Sequence, residues 1–170
     1  MTLSELMEER LMACSLAART KDDVIEELAE LFLTAGIVDD KGAFIATIKR
    51  REAVESTAIG GGIAIPHGRS SSAKRLSVAF GRSKDGVEFE ALDNDPVHLI
   101  FMIAAPESAR KEYLQTVAKI ARLLRSEVMR KALMSVETPK EVMNLIRDFD
   151  NLVVEEITVA MKEGRVVYRE

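Results

Sequence analysis

The sequence predicts an α/β fold: a single three-layer domain, a mixed β-sheet flanked by helices, with a short C-terminal β appendage. Three observations predict it. Residues 97–103 form a short, nearly continuous apolar run, the pattern of a central strand covered on both faces. Strand-like segments precede that run, and apolar stripes at helical spacing lie on either side of it in the chain. Finally, 170 residues with 47% apolar content suffice for one proper core but hardly for two.

The elements follow in order. Thr20, with Asp23 three positions on, reads as a helix cap, and Val24, Ile25, Leu28, Leu31, Phe32 and Ala35 share the face behind it. Gly36 ends that helix. Asp40 starts a second one, running through Phe44, Ile45 and Ile48 to Lys49, Arg50 and Arg51, where cations suit the negative end of the helix dipole. Residues 57–65 have strand composition interrupted by Gly60, Gly61 and Gly62. Residues 76–80 alternate weakly before a turn at Asp85 and Gly86. Beyond Pro106 the period changes: Tyr113, Leu114, Val117, Ile120, Ala121 and Leu124 lie opposite Lys119, Arg122 and Arg125, a strongly amphipathic helix. Thr138, Pro139 and Glu141 then combine a cap, a first-turn proline and an acid, with Val142, Leu145 and Ile146 as the buried stripe. The domain closes near Asp150, giving 1–150. The remainder, 151–170, reads as two β segments, 152–161 and 165–168, joined at Glu163 and Gly164. Such a hairpin is a candidate contact for a partner or for a second copy of the chain.

Composition excludes several classes. A net charge of −4 and a pI near 5.4 offer nothing to a nucleic-acid backbone. The first residues lack a signal peptide's basic flank and apolar core, and no apolar run approaches the roughly 18 residues of a membrane span. A cytosolic protein is expected. One cysteine, Cys14, and two histidines are too few for a disulfide framework or a structural zinc site, so neither metal nor cofactor is expected. Cys14 reads as a small apolar side chain.

Chemistry concentrates at His67, which stands between a rigid Pro66 and a Gly68 read as flexible, just beyond three glycines. Neutral imidazole is a competent nucleophile near pH 7, and glycine amides close on phosphate without interference from Cβ. Arg51 is the candidate phosphate clamp, since guanidinium presents forked donors. Gly60, Gly61, Gly62, Thr57 and Ser56 are candidate phosphate donors, and Arg69 is a candidate partner-facing cation. Ser70, Ser71 and Ser72 read as a flexible loop. His98, inside the apolar run, reads as a satisfied structural histidine.

Arg51-Glu52, then Ser56-Thr57, a glycine-rich step, and the run from Gly62 through Pro66-His67-Gly68 resemble the active-site signature of the enzyme IIA domain of the phosphotransferase system, fructose/mannitol and nitrogen-regulatory type. The helix order before the signature and the stretch from Phe101 to Pro106 are similar as well, so the resemblance covers roughly residues 1–150. It implies a phosphorelay in which a small histidine phosphocarrier protein donates to Nε2 of His67. The acceptor is then an enzyme IIB cysteine or, in regulatory members, the phosphate sets which partner is bound. Such a transfer needs positioning and positive potential more than covalent help.

One departure stands out. Many members carry a second histidine in a Glu-His-Leu context on the long helix, and here the matching residues are Glu112-Tyr113-Leu114. A phenol donates a neutral hydrogen bond, about 0.5–1.5 kcal/mol against about 1.5–3 for a charged one. The expectation is phosphorylation of His67 with altered onward transfer, which raises the weight of a regulatory role. A hydrolase using His67 as base lacks a Gly-x-Ser-x-Gly elbow or a nearby thiol.

Overall fold

The computed structural model describes residues 1–162, with side chains up to residue 153. A 3-10 turn, Ser4–Leu6, leads into β1 (Met7–Ala13), followed by α1 (Lys21–Thr34) and α2 (Lys41–Val54). Three short strands come next, β2 (Ala58–Gly60), β3 (Ile63–Ala64) and β4 (His67–Arg69), then two long ones, β5 (Ser77–Val87) and β6 (Val97–Ala105). Helices α3 (Arg110–Arg125), α4 (Glu127–Ser135) and α5 (Pro139–Lys162) complete the chain.

The caps act as expected. The Thr20 side chain accepts from the Asp23 amide and that of Asp40 from the Ala43 amide, and Thr138 Oγ1 accepts from the Glu141 amide at 3.3 Å. Each satisfies an amide that has no partner within its helix. Gly36 follows α1 with φ +71°, the left-handed stop that glycine takes without strain.

The sheet is mixed and runs β1-β5-β6-β3-β2, with β4 also on β6. β6 pairs antiparallel with β5 and parallel with both β3 and β4, so β4 continues the line of β3 along the same neighbour. The apolar run is indeed the middle of the sheet, buried from Leu99 to Ala105. Its alternate residues feed two cores. Ile100, Met102 and Ala104 meet α1 and α2 through Phe32, Phe44 and Ile48. Leu99, Phe101 and Ile103 meet the α3–α5 layer through Ile120, Leu123 and Ile146. Helices on both faces give the three layers.

Four expectations are corrected. Residues 152–161 do not form a strand; they continue α5 to Lys162. Their β-branched composition suggested a strand, but a helix already nucleated at Pro139 adds one hydrogen bond per residue and meets no glycine or proline before Gly164. The second tail segment, 165–168, lies outside the described residues. The turn at Asp85 and Gly86 falls inside β5 as an irregularity in its register with β6, with Gly86 at φ +87°. Ser70 and Ser72 are buried and their hydroxyls lie 2.7 Å apart, an ordered turn rather than a loose loop. Gly68 is buried in β4 and not a flexible link. Two elements carried no readable signal, β1 and α4: β1 places Glu8, Glu9 and Arg10 in succession, without alternation. Among the described residues, no helix is long and apolar enough to cross a membrane.

Candidate active site

His67 opens β4, in register with Ile103 of β6. Ile63 and Ile65 upstream belong to the α3-side core, and by strand alternation His67 shares their face. Gly68 faces the other way. A Cβ on it would stand 2.9 Å from Thr47 Cγ2 and 3.3 Å from Ile48 Cδ1, so glycine here lets α2 lie directly on the strand. That close approach sets the last turn of α2 near enough for the charges of Arg51 and Glu52 to act on the His67 ring.

The imidazole is half-buried, and its Nδ1 lies 2.6 Å from the carbonyl oxygen of Ile65. A carbonyl only accepts, so Nδ1 carries the proton and donates, leaving the lone pair on Nε2. Burial is the main cause that depresses the ring's pKa below its ordinary 6.5; the Ile65 bond opposes this, Arg51 adds to it and Glu52 opposes it. The resting ring is a neutral nucleophile in a fixed tautomer. Its acid-base environment also shows that Arg51 and Glu52 both act on it.

Tyr113, in the first turns of α3, meets the His67 ring edge-on with centroids 5.3 Å apart. Burial raises its pKa while Arg51 and Arg69 pull it down, so the phenol keeps its proton at neutral pH and its two neighbouring cations stand close by. Arg51 donates from Nη1 to the Glu55 carbonyl at 2.8 Å, and Arg69, exposed, donates to the Glu107 carbonyl at 3.1 Å. A half-buried imidazole, a phenol and two guanidiniums thus come together from β4, α3 and α2.

Other candidates are placed elsewhere. The turn of Gly60, Gly61 and Gly62 connects β2 to β3, with φ of +101°, +68° and +77°, and Gly62 accepts from the amides of His98 and Leu99. His67 is level with Ile103, four residues further along β6 than Leu99, or about 13 Å at roughly 3.3 Å per residue. The Gly61 amide is given to Asp93 at 3.0 Å. The three glycines therefore build a left-handed turn that strand register sets away from the histidine. Thr57 is buried, and both its amide and its hydroxyl are donated to the Glu52 carboxylate. Ser56 donates to the Phe89 carbonyl at 2.8 Å. His98 has its Nδ1 2.8 Å from the Ser83 carbonyl, as expected of a structural histidine. Cys14 is partly buried against the α3-side core, and burial raises its thiol pKa.

Sequence reasoning missed two contributors. The Ile65 carbonyl had no signal, being main chain. The Glu52 carboxylate was visible only as half of an Arg-Glu pair; its partner Lys21, 2.9 Å away, comes from the start of α1.

The family model described as "Phosphoenolpyruvate-dependent sugar phosphotransferase system, EIIA 2" matches residues 5–149. The chain belongs to that family. The fructose-specific EIIABC component of Bacillus subtilis is 38% identical over 150 residues, 88% of this chain, which spans only 24% of that longer protein. The fructose-specific EIIA component of Haloferax volcanii is 35% identical over 76% of this chain and 84% of its own. The crystal structure of nitrogen regulatory protein IIA-Ntr from Neisseria meningitidis superposes with a TM-score of 0.78 at 30% identity, covering 84% of this chain and 97% of that one. Sugar-system and nitrogen-regulatory relatives thus lie on either side of this EIIA chain. The α/β fold, a mixed sheet between helices, is theirs too.

Proposed function

We propose that this EIIA chain is a phosphohistidine carrier of the phosphoenolpyruvate-dependent phosphotransferase system, with Nε2 of His67 as the phosphoryl acceptor. The observation that carries the reading is the Nδ1 bond to the Ile65 carbonyl on a ring that Tyr113 meets edge-on and Arg51 acts on, because the bond leaves Nε2 unprotonated and the two neighbours supply donors for a phosphate.

The donor is the phosphohistidine of a small histidine phosphocarrier protein. The Nε2 lone pair forms a P–N bond as the donor's P–N bond breaks, and the donor imidazole leaves with that electron pair. No proton has to leave Nε2. Positive charge that develops on the His67 ring is shared with the Ile65 carbonyl through Nδ1–H. Negative charge on the equatorial oxygens of the loose transition state is met by Arg51 and by the Tyr113 hydroxyl. Arg69 faces the docking protein from the exposed end of β4. In the onward step a cysteine thiolate of an enzyme IIB forms a P–S bond as the His67 P–N bond breaks and Nε2 takes back its electron pair, in the cytosol and with no cofactor or metal. The sugar never enters, since the site handles only a phosphoryl group and protein surfaces.

A regulatory reading is favoured by one residue. Tyr113 supplies a neutral donor where many relatives place a histidine, so phosphate stays on His67 longer and its negative charge serves to set partner affinity. The test is to incubate the chain with phosphoenolpyruvate, enzyme I and the histidine phosphocarrier. The expected product gains one phosphate, acid-labile and base-stable, on His67. Discharge to an enzyme IIB supports the relay; a persistent phosphohistidine that changes partner binding supports regulation. No modification at His67 defeats both.

A further inference from the structure

The Glu52 carboxylate is among the most completely buried charges in the fold, with 7% of the residue exposed, and its bonds go to Thr57 and Lys21. Its oxygens are all occupied. Oε2 accepts from the Thr57 amide at 3.1 Å and from Lys21 Nζ at 2.9 Å, and Oε1 accepts from the Thr57 hydroxyl. Lys21 is itself held 5.1 Å above the ring of Phe89. One carboxylate therefore ties the first residue of α1, the last turn of α2 and the start of β2 together. Removing one partner from a buried pair leaves an uncompensated charge, so breaking the arrangement is costly.

The link from α2 to β2 contains Glu55, whose carbonyl receives the Arg51 guanidinium. Glu52 precedes that residue and Thr57 follows it. Clamping both flanks fixes the carbonyl, and the carbonyl aims the guanidinium.

We propose that Glu52, through Lys21 and Thr57, is the positioning residue that holds Arg51 against the His67 site. This rests on the phosphocarrier reading for its consequence in transfer, but not for its geometric content. Both charges of α2 act on the His67 ring, in opposite senses: Arg51 lowers its pKa and Glu52 raises it, with burial and the Ile65 bond as the other causes and Tyr113 as the neighbour from α3.

These opposite senses supply the test. Direct loss of the Glu52 charge, with Arg51 unmoved, lowers the His67 pKa; release of Arg51 raises it. In Glu52→Gln, the expected result is a raised His67 pKa by NMR titration, the His67 signals being identified by their loss in His67→Ala. The phosphorylation rate from phosphorylated histidine phosphocarrier is expected to fall about tenfold to a hundredfold, the scale of a mispositioned group. Arg51→Ala should reproduce the rise, and adding Glu52→Gln to it should cost nothing further in rate. Thr57→Val keeps both charges while removing one arm of the clamp, so it serves if Glu52→Gln does not fold, and it should move the pKa the same way by less. A lowered or unchanged pKa in the folded variant, or rate losses that multiply in the double variant, overturns the proposal. If wild type takes up no phosphate, the carrier reading fails, while the titration, which needs no donor, still decides the positioning claim.

Discussion

The two histidines are anchored alike and surrounded differently. Each is half-buried with Nδ1 against a backbone carbonyl, Ile65 for His67 and Ser83 for His98, at 2.6 and 2.8 Å. The anchor alone therefore does not make a reactive ring. What separates them is what surrounds each ring. At His98 the backbone closes in: a Cβ on Gly86 would lie 3.3 Å from Nε2, and one on Gly62 would lie 3.5 Å from Cδ2. At His67 the neighbours are Tyr113, edge-on, and the Arg51 guanidinium. The same imidazole is a packing piece on β6 and, on the neighbouring β4, a ring with an aromatic and a cationic neighbour.

The comparison breaks most directly by deleting each ring in turn. His67→Ala is expected to abolish phosphate incorporation and His98→Ala to retain it, measured by mass after incubation with the donor proteins. Incorporation that survives the first change and dies with the second would reverse their roles. Next in size, Arg51→Ala should slow phosphorylation of His67 about 10²- to 10³-fold, as does loss of a donor aimed at developing charge; stopped-flow transfer would show it. The Gly68→Ala change should cost about 1–3 kcal/mol of stability by denaturant titration, because its Cβ has no room beneath Thr47 and Ile48, and it should push Arg51 back from the ring.

Acidity sharpens the contrast further. The folded pKa of His67 lies below its ordinary 6.5, so protonation favours the unfolded chain: the stability this ring contributes is present above pH 6.5 and is lost as pH falls through the folded pKa. The phosphorylation rate should fall over the same acid window, and a rate that starts falling above pH 6.5 would contradict the buried, neutral ring. The smallest effect is at Tyr113. Changing it to histidine restores a donor able to carry charge, and a gain of about 1 kcal/mol is about fivefold in transfer rate. An unchanged rate and phosphohistidine lifetime would remove Tyr113 from the chemistry.

Much of this was legible because it is local. Caps at Thr20, Asp40 and Thr138, the stripe of α3 and the unbroken apolar run of β6 each declare themselves within a few residues, and so does the Pro66-His67-Gly68 context. What escaped depends on distant partners. Gly68 reads as freedom in one dimension, and only the approach of α2 shows that it is a fit. Gly60, Gly61 and Gly62 stand five to seven residues from His67 in the chain, yet strand geometry turns that short separation into distance. Nothing near Glu52 announces Lys21. The tail misled for the opposite reason: its valines and its one isoleucine favour a strand locally, while the helix that 152–161 extend had already begun at Pro139.

The anchor of His67 is two residues upstream on its own backbone, so the choice of which nitrogen carries the proton is made without help from any other side chain. The poised ring is thus a portable cassette. Transplanted onto another parallel strand with the same three-residue lead-in, it would keep its tautomer and lose only its cationic surroundings, separating the contribution of orientation from that of charge.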